Sequence, residues 1–270
     1  MMVIVATISL APFLWLFISS ISTNNDLLSV PIKFIPSRPT FYRYYELFFQ
    51  SGKTESTKMF LVSMKNSLIV STFVTIITLI LASFAAYAFA RIEFPGKKSI
   101  QLSILATRML PALSTIIPLY IFAKKFGLID TKFILMILYL TFTLPFAIWM
   151  MIGFFQTIPK ELEEAAMIDG ATRIGTLFKV VFPLSAPGLT ATAIFSFMLA
   201  WDEFFFALIF TSSYAAKTIP VAISEFTGRH LIDYGMMCTG GIVASIPPIL
   251  LAMWFRSYIV KGLTQGAVKG

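Results

Sequence analysis

Few residues of this chain have the types and spacings that support catalysis. It has one cysteine, Cys238, and one histidine, His230, which excludes an internal disulfide and a metal site built on cysteine or histidine pairs. No G-x-S-x-G element accompanies the histidine, so a hydrolase has little support. Residues 52–54, Gly-Lys-Thr, look like the end of a phosphate-binding loop, but Leu47 stands where that motif needs its first glycine. We therefore predict no enzymatic activity, no metal and no cofactor on this chain.

Residues 159–183 form a charged segment between two long apolar runs. Pro159 suits the first turn of a helix. The helix dipole favours anions in the residues that follow, and three glutamates occur there: Glu161, Glu163 and Glu164. An Ala-Ala pair at 165–166 then presents a surface with almost no side chain. Gly170, after Asp169, is a natural helix stop because glycine adopts the left-handed conformation that ends helices.

A second helix is predicted directly after this glycine. Thr172 is its expected N-cap, and its apolar residues recur at helical spacing: Ile174, Leu177, Phe178 and Val181. One face of this helix must be buried against protein, and Pro183 ends the pattern. We interpret residues 159–183 as a docking element for another protein. An ordered loop on lipid headgroups is the alternative, although an anionic membrane surface would repel the clustered glutamates.

The composition places the chain in a membrane. Hydrophobic residues make up 57% of it and charged residues 13%, far from the balance of a soluble domain. Six runs reach the roughly 20 residues that a membrane-spanning helix needs: Met1–Ser22, Ser67–Ala90, Ile100–Ala123, Phe133–Phe155, Leu184–Phe210 and Tyr234–Phe255. Backbone groups in lipid must be satisfied within their own segment, so these spans must be helices. We predict a single all-α, polytopic membrane domain over residues 1–270.

The first span and the orientation need separate arguments. Met1–Ser22 is longer than the apolar core of a signal peptide and lacks a basic start and a cleavage site, so we interpret it as a retained anchor. Basic residues flank the spans in similar numbers on both sides, which leaves the orientation open. The net charge of +8 fits contacts with lipid headgroups better than nucleic-acid binding.

The charged segment resembles the EAA loop of type I ABC importer permeases, whose pattern is E-A-A, three residues, G, nine residues, I-x-L-P. The residues that fit it, with two conservative replacements near the end, are Glu164, Ala165, Ala166, Gly170, Val180, Phe182 and Pro183. Further segments resemble the carbohydrate-uptake branch, in particular the G-type membrane subunit of the maltose importer: 108–111, 118–120, 201–204, 217–221 and 262–270. The likeness covers nearly the whole chain.

This resemblance implies a set of partners and a location. The chain would pair with a related F-type permease subunit, two ATPase subunits that bind ATP and Mg, and an extracytoplasmic solute-binding protein, in a bacterial or archaeal plasma (inner) membrane. The ATPase would contact a cytoplasmic EAA loop through Glu164, Ala165, Ala166, Asp169 and Gly170. A second contact is implied for the C-terminus, at Gly266, Ala267, Val268, Lys269 and Gly270. Residues 211–233 would meet the binding protein.

Charged and aromatic residues inside the spans are candidates for a translocation path. Arg108 lies ten residues beyond Lys98, about 15 Å along a helix, and a cation at that depth must face protein or water. An interhelical tie, for example to Asp202, is the equally open alternative. Trp201, Asp202 and Glu203 fall late in the fifth span. The family typically has asparagine at position 202, so the aspartate here would change the polarity that a substrate meets.

Proline and glycine predict bends and close packing in the spans. Pro111, Pro118 and Pro145 should kink their helices, and the Gly240-Gly241 pair with the prolines at 247–248 should make the sixth span thin and bent. We expect this thin face to meet protein rather than lipid. The overall prediction is a permease subunit of an ATP-driven, binding-protein-dependent carbohydrate importer. A same-fold importer for a non-sugar solute and an ion-gradient-driven transporter or channel stay open as alternatives.

Overall fold

The computed structural model describes residues 2–49, 55–226 and 233–258. The regular elements in these ranges are helices, and we number the α-helices in chain order. The longer ones are α1 (Met2–Ile21), α3 (Tyr42–Phe49), α4 (Glu55–Arg91), α5 (Lys97–Ala106), α6 (Ala112–Lys125), α7 (Lys132–Gln156), α8 (Lys160–Ile168), α11 (Ala186–Trp201) and α14 (Tyr234–Trp254). The shorter ones are α2 (Asn24–Leu27), α9 (Arg173–Thr176), α10 (Phe182–Leu184), α12 (Phe205–Phe210) and α13 (Ile219–Ser224). A 3₁₀ turn covers Thr107–Met109, and a π-helical turn covers Leu177–Val181.

Four helices are long and apolar enough to cross a membrane, namely α1, α4, α7 and α14. Two bent helix pairs raise the number of candidate spans to six. The all-α, polytopic fold is thereby confirmed. The second span extends further than predicted, because α4 begins at Glu55 rather than near Ser67. Those twelve extra residues add about 18 Å of helix.

The predicted third and fifth spans are not single helices. In the third, α5 and α6 meet at an angle of 93° around the 3₁₀ turn and Pro111, which is the expected place for a proline break. In the fifth, α11 ends at Trp201 and α12 begins only at Phe205. The segment before α11, residues 173–184, lies at 83° to it. The prediction of an unbroken helix over Leu184–Phe210 is therefore wrong.

The centre of the bundle consists of three packed helices: α4 and α7 run parallel to each other, and α11 runs antiparallel to both. Buried apolar side chains join them in two clusters, one toward each end of the bundle. Between the clusters the hydroxyls of Thr78 on α4 and Thr143 on α7 hydrogen-bond at 2.9 Å. Helix α1 packs instead on α14. An added Cβ at Gly241 would lie 3.5 Å from Leu16, and one at Gly240 would lie 3.1 Å from Phe60, which confirms that this small-residue face meets protein.

We call the end of the bundle that carries residues 159–183 the loop end, and the opposite end the far end. At the far end Arg43 on α3 is buried and donates to the carbonyls of Ser20 and Ser22, which end α1, and to Oδ1 of Asn24. It also lies 3.8 Å from the carboxylate of Asp233. One guanidinium thus joins α1, α3 and the start of α14.

Two other far-end contacts tie loops to spans. Nδ2 of Asn66 on α4 donates to the carbonyls of Tyr214 and Lys217, at 2.9 and 3.0 Å. Asp130, between α6 and α7, adopts a positive φ of 63°, and its Oδ1 accepts from the backbone amides of Ser212 and Ser213, both at 2.9 Å. The loop between α12 and α13 is therefore held from two sides.

Candidate functional site

The turn inside residues 159–183 forms as the sequence predicts. The amide of Ala171 donates to the carbonyl of Ala166, and that of Gly170 donates to Met167, both near 3.0 Å. This pair of bonds is the Schellman arrangement, and Gly170 supplies the positive φ of 89° that it needs. Oγ1 of Thr172 then accepts from the amide of Gly175 at 3.1 Å, so the N-cap is confirmed. Pro159 occupies the N-cap position of α8, one residue before its first turn.

One face of α8 and of the turn after it is exposed. The acidic and small residues named by the motif, Glu164, Ala165 and Asp169, lie on this face. Apolar side chains lie beside them, with Leu162 47% and Ile168 86% exposed. A large apolar side chain next to carboxylates at the edge of a membrane bundle is typical of a protein contact surface. We call these five residues the docking face.

The opposite face of α8 is held by a buried ion pair that the sequence analysis missed. Nε of Arg91, the last residue of α4, lies 2.6 Å from Oε1 of Glu163, and the two side chains are 10% and 5% exposed. The hydroxyl of Tyr87 donates to Oε2 of Glu163 at 3.1 Å. Nη2 of Arg91 donates to the carbonyls of Phe155 and Ile158 at 2.7 and 2.8 Å. We call Tyr87, Arg91 and Glu163 the α4–α8 joint.

The helix after the turn is only partly as predicted. Leu177 and Val181 are buried against α4 and α7, whereas Ile174 and Phe178 are exposed. The reason is the π-helical turn at Leu177–Val181: its wider winding separates residues that α-helical spacing would place on one face. The ring of Phe178 packs edge-on against Phe84 of α4 at 6.2 Å.

A groove of about 690 Å³ opens between α5, α7 and α11. Its polar residues, Lys98, Gln101 and Gln156, belong to the loop end, and the rest of its lining is mainly apolar and includes the exposed Trp149. It reaches Pro145, eleven residues before Gln156 on α7. Eleven helical residues span about 16 Å, roughly half of a hydrocarbon core. The groove thus runs from the loop end to the middle of the bundle.

Arg108 lies near the inner end of this groove. It is exposed within the chain, in the 3₁₀ turn between α5 and α6. Its guanidinium carbon lies 5.2 Å from the ring centre of Phe146, within the range of a cation–π interaction. Phe146 is next to Pro145 and packs edge-on against Phe195, another lining residue. Asp202 is not among the ion-pair partners of Arg108 in the described residues.

Trp201 has a structural function. It is 2% exposed, and its Nε1 donates to the carbonyl of Ala244 at 3.2 Å. Pro248 has no N–H, so this carbonyl, four residues earlier, gets no bond from its own helix. The indole therefore satisfies a group that proline leaves unpaired and ties α11 to α14. Contact between Trp201 and a solute stays a prediction.

Asp202 and Glu203 occupy the break between α11 and α12. Both oxygens of Glu203 accept backbone amides of α12, from Phe206 at 2.8 Å and from Ala207 at 3.1 Å. Glu203 therefore acts as the cap of α12. Asp202 is exposed and lines a smaller cavity of about 440 Å³ that also includes Trp201 and Pro248 of α14. The structure brings the two acidic residues together with Trp201, but not with Arg108.

Some predicted residues lie outside the described ranges. These are the C-terminal group Gly266–Gly270, His230 and part of the loop 211–233. Among the residues that the structure describes, no cluster of three or more metal-ligating side chains occurs.

The family's sequence profile, described as the inner membrane component of binding-protein-dependent transport systems, matches residues 78–265. The chain belongs to this family. It is a multi-pass inner-membrane transport protein, and the matched region contains the docking face, the α4–α8 joint and the groove.

Curated relatives match almost end to end. The trehalose/maltose transport system permease protein MalG of Thermococcus litoralis is 38% identical, over 99% of this chain and 94% of that protein. The trehalose transport system permease protein SugB of Mycobacterium tuberculosis is 40% identical, over 97% and 93%. The sulfoquinovosyl glycerol transport system permease protein SmoH of Agrobacterium fabrum is 35% identical, over 97% and 89%.

A solved structure has the same fold. A chain of a bacterial ABC transporter involved in the import of the acidic polysaccharide alginate superposes with a TM-score of 0.77, at 24% identity, over 95% of this chain and 93% of that one. A chain of the MetNI methionine ABC transporter in an inward-facing conformation gives 0.59, at 15% identity, over 76% and 94%. The architecture is therefore shared by transporters of different solutes.

Proposed function

We propose that this chain is a permease subunit of an ATP-driven, binding-protein-dependent importer of carbohydrate. The observation that carries the proposal is the docking face, a membrane-edge helix with exposed Glu164, Ala165 and Asp169 beside exposed apolar side chains. The sugar-related names of three relatives that match nearly the whole chain support the substrate class. Hydrolysis of ATP, with Mg, belongs to a partner chain.

The docking face binds one of two ATPase subunits in the cytoplasm. Glu164 is exposed and takes part in none of the ion pairs of the described residues, so its charge is available to pair with a basic residue of the ATPase. Ala165 lets the two backbones approach closely, and Leu162 and Ile168 supply apolar contact area. This orientation puts the loop end inside the cell and the far end outside. The C-terminal residues Gly266–Gly270 are a second proposed contact with the ATPase.

The groove between α5, α7 and α11 is this chain's share of the translocation path. An F-type permease subunit covers its open side, and Trp149 and the Arg108 side chain face the space between the two subunits. Aromatic rings and a cation suit the faces and hydroxyls of a sugar. Asp202 faces the same pathway from the broken fifth span. A solute-binding protein delivers the sugar at the far end, near residues 211–233.

Transport then requires two packings of the bundle, open to opposite sides. The binding protein and ATP favour different packings because each binds one of them more tightly. The docking face is the place where closure of the ATPase pair reaches the permease.

The test begins with co-purification of the tagged chain in mild detergent. We expect a second permease subunit and an ATPase, with hydrolysis stimulated by the co-encoded binding protein when it carries one sugar from a panel. A folded chain that purifies alone or as a self-oligomer, without an ATPase, contradicts the proposal and favours an ion-gradient-driven transporter or a channel. Stimulation by a non-sugar solute alone contradicts the substrate class.

Glu164→Lys tests the docking face itself. Reversing an exposed charge on this face is expected to reduce recovery of the ATPase and its stimulated hydrolysis at least about tenfold, within the usual range of coupling energies. Glu93→Lys is the matched control, because Glu93 is an exposed acid at the loop end that lies outside α8. Normal stimulated hydrolysis in Glu164→Lys would exclude this face as the contact.

A further inference from the structure

The α4–α8 joint connects three parts of the fold at one point. Arg91 ends α4, Glu163 lies on α8, and the two carbonyls that Arg91 also binds, those of Phe155 and Ile158, belong to the end of α7 and the residues just after it. In the described residues, the hydrogen bonds and ion pairs that join α8 side chains to the spans all involve Glu163. The docking face lies on the solvent-exposed surface of the same helix and of the turn after it.

The geometry of the joint makes it stiff. A guanidinium is planar and holds its donors in a fixed fork, so its bonds to one carboxylate and two carbonyls fix three groups relative to one another. The hydroxyl of Tyr87, one helical turn before Arg91, holds the second oxygen of Glu163. Both charged side chains are almost completely buried, which strengthens their attraction compared with a surface pair. Movement of α8 away from α4 would leave the buried carboxylate of Glu163 without partners and the guanidinium of Arg91 without its counter-ion.

We propose that the α4–α8 joint transmits displacement of the docking face to α4 and α7, and that Glu163 and Arg91 are the positioning residues for this step. The inference rests on the proposed docking of an ATPase and adds how its motion reaches the spans. The two helices that receive the motion form the core of the bundle, and α7 carries one wall of the groove. Pulling α8 thus moves the groove wall directly.

The experiment uses the complete importer in proteoliposomes and compares three quantities: ATPase recovery on co-purification, hydrolysis stimulated by the loaded binding protein, and sugar uptake per ATP hydrolysed. For Glu163→Gln and Arg91→Gln we expect normal recovery of the ATPase, because the docking face is untouched. Uptake per ATP should fall about tenfold, a typical size for coupling between sites. Tyr87→Phe should give a smaller loss in the same direction.

Two controls separate transmission from stability. Glu161→Gln removes an exposed carboxylate from the same helix, and Thr143→Val removes a buried hydrogen bond between α4 and α7. Both should retain uptake per ATP, even if Thr143→Val lowers the unfolding temperature.

Three outcomes contradict transmission through the α4–α8 joint. The first is normal uptake per ATP in Glu163→Gln or Tyr87→Phe, and the second is an equal fall in Thr143→Val. The third is a lower unfolding temperature without a change in uptake per ATP, which would make the ion pair structural only. If the Gln variants do not fold, Tyr87→Phe decides by the same ratio. Failure of the unmodified chain to recover an ATPase would instead contradict the proposed function and is seen before any variant is made.

Discussion

The two ends of the bundle are held together in different ways. At the far end, Arg43 binds the end of α1, whereas Asn66 and Asp130 bind the loop between α12 and α13 from two sides. At the loop end, α8 is bound to the spans through Glu163. A set of independent contacts resists motion even if one contact is lost, whereas a single contact defines a pivot. We therefore propose that the far end keeps its loops in place, whereas α8 at the loop end moves as a lever.

The largest expected effect of a single change at the loop end is that of Gly170→Leu. Gly170 has a φ of 89° and no atoms within 4 Å of an added Cβ, so leucine would cost roughly 1–2 kcal/mol in backbone strain and would project from the docking face. We expect recovery of the ATPase to fall more than tenfold, because a side chain that clashes with a partner opposes binding. Pull-down of the ATPase with the tagged chain measures this recovery.

Gly127→Leu is the control for this variant, because Gly127 has a φ of 65° and an equally open surrounding at the far end. It should cost similar stability and leave the ATPase bound. Equal losses of ATPase in both variants would mean that backbone strain, and not the docking face, explains the result.

The next largest effect is expected at the far end, for Arg43→Met. This change keeps a long apolar side chain but removes the donor to the carbonyl of Ser22 and to Oδ1 of Asn24, and leaves Asp233 without its ion-pair partner. We expect a loss of about 3 kcal/mol in the free energy of unfolding, measured by thermal unfolding in detergent. Arg38→Met, at an exposed arginine in the segment just before α3, should be near neutral. If importers with Arg43→Met fold but take up less sugar per ATP hydrolysed, the far end also takes part in coupling. The proposed difference between the two ends would then be wrong.

The smallest effect is a pH dependence of the loop between α1 and α3. Asp26 accepts hydrogen bonds from Ser37 and Thr23, and the side-chain bond from Ser37 is the main cause that lowers the pKa of Asp26 to about 2. Because the folded-state pKa is lowered from 3.8, this stabilisation is complete above the unfolded value. It is lost as the pH falls toward the folded value.

Hydrogen exchange of the segment 23–38 measures this prediction. Its protection should decrease between about pH 4 and pH 2, while the same segment of Asp26→Asn should show low protection that does not depend on pH in this range. If the protection of the wild-type segment does not depend on pH, the hydrogen bonds of Asp26 do not stabilise it.

Much of the docking element was predictable because its signals are local. A glycine after Asp169 and a threonine at position 172 determine a helix stop and an N-cap within a few residues, and the structure has both. The joint was not predictable in the same way. Glu163 and Arg91 are 72 residues apart, and which of the clustered glutamates faces α4 depends on the rotation of α8. A basic residue ending a span, opposite a cluster of glutamates, was the available signal.

The break in the fifth span shows a second limit. Residues 202–204 contain no glycine or proline, so the apolar pattern predicted a continuous helix. The break is explained by Glu203, whose carboxylate takes the amides of Phe206 and Ala207 and so replaces the bonds of a continuous helix. The bend of the third span was signalled by Pro111, but its angle of 93° depends on packing that a local pattern does not contain.

The bond from Trp201 to the carbonyl of Ala244 makes the effects of substitutions at two distant positions depend on each other. Pro248 leaves this carbonyl without a donor from its own helix, and a residue with an N–H at 248 would supply one. Replacement of Trp201 should therefore cost less stability in a chain that lacks Pro248. The need for a donor on α11 is thus set by a residue of α14.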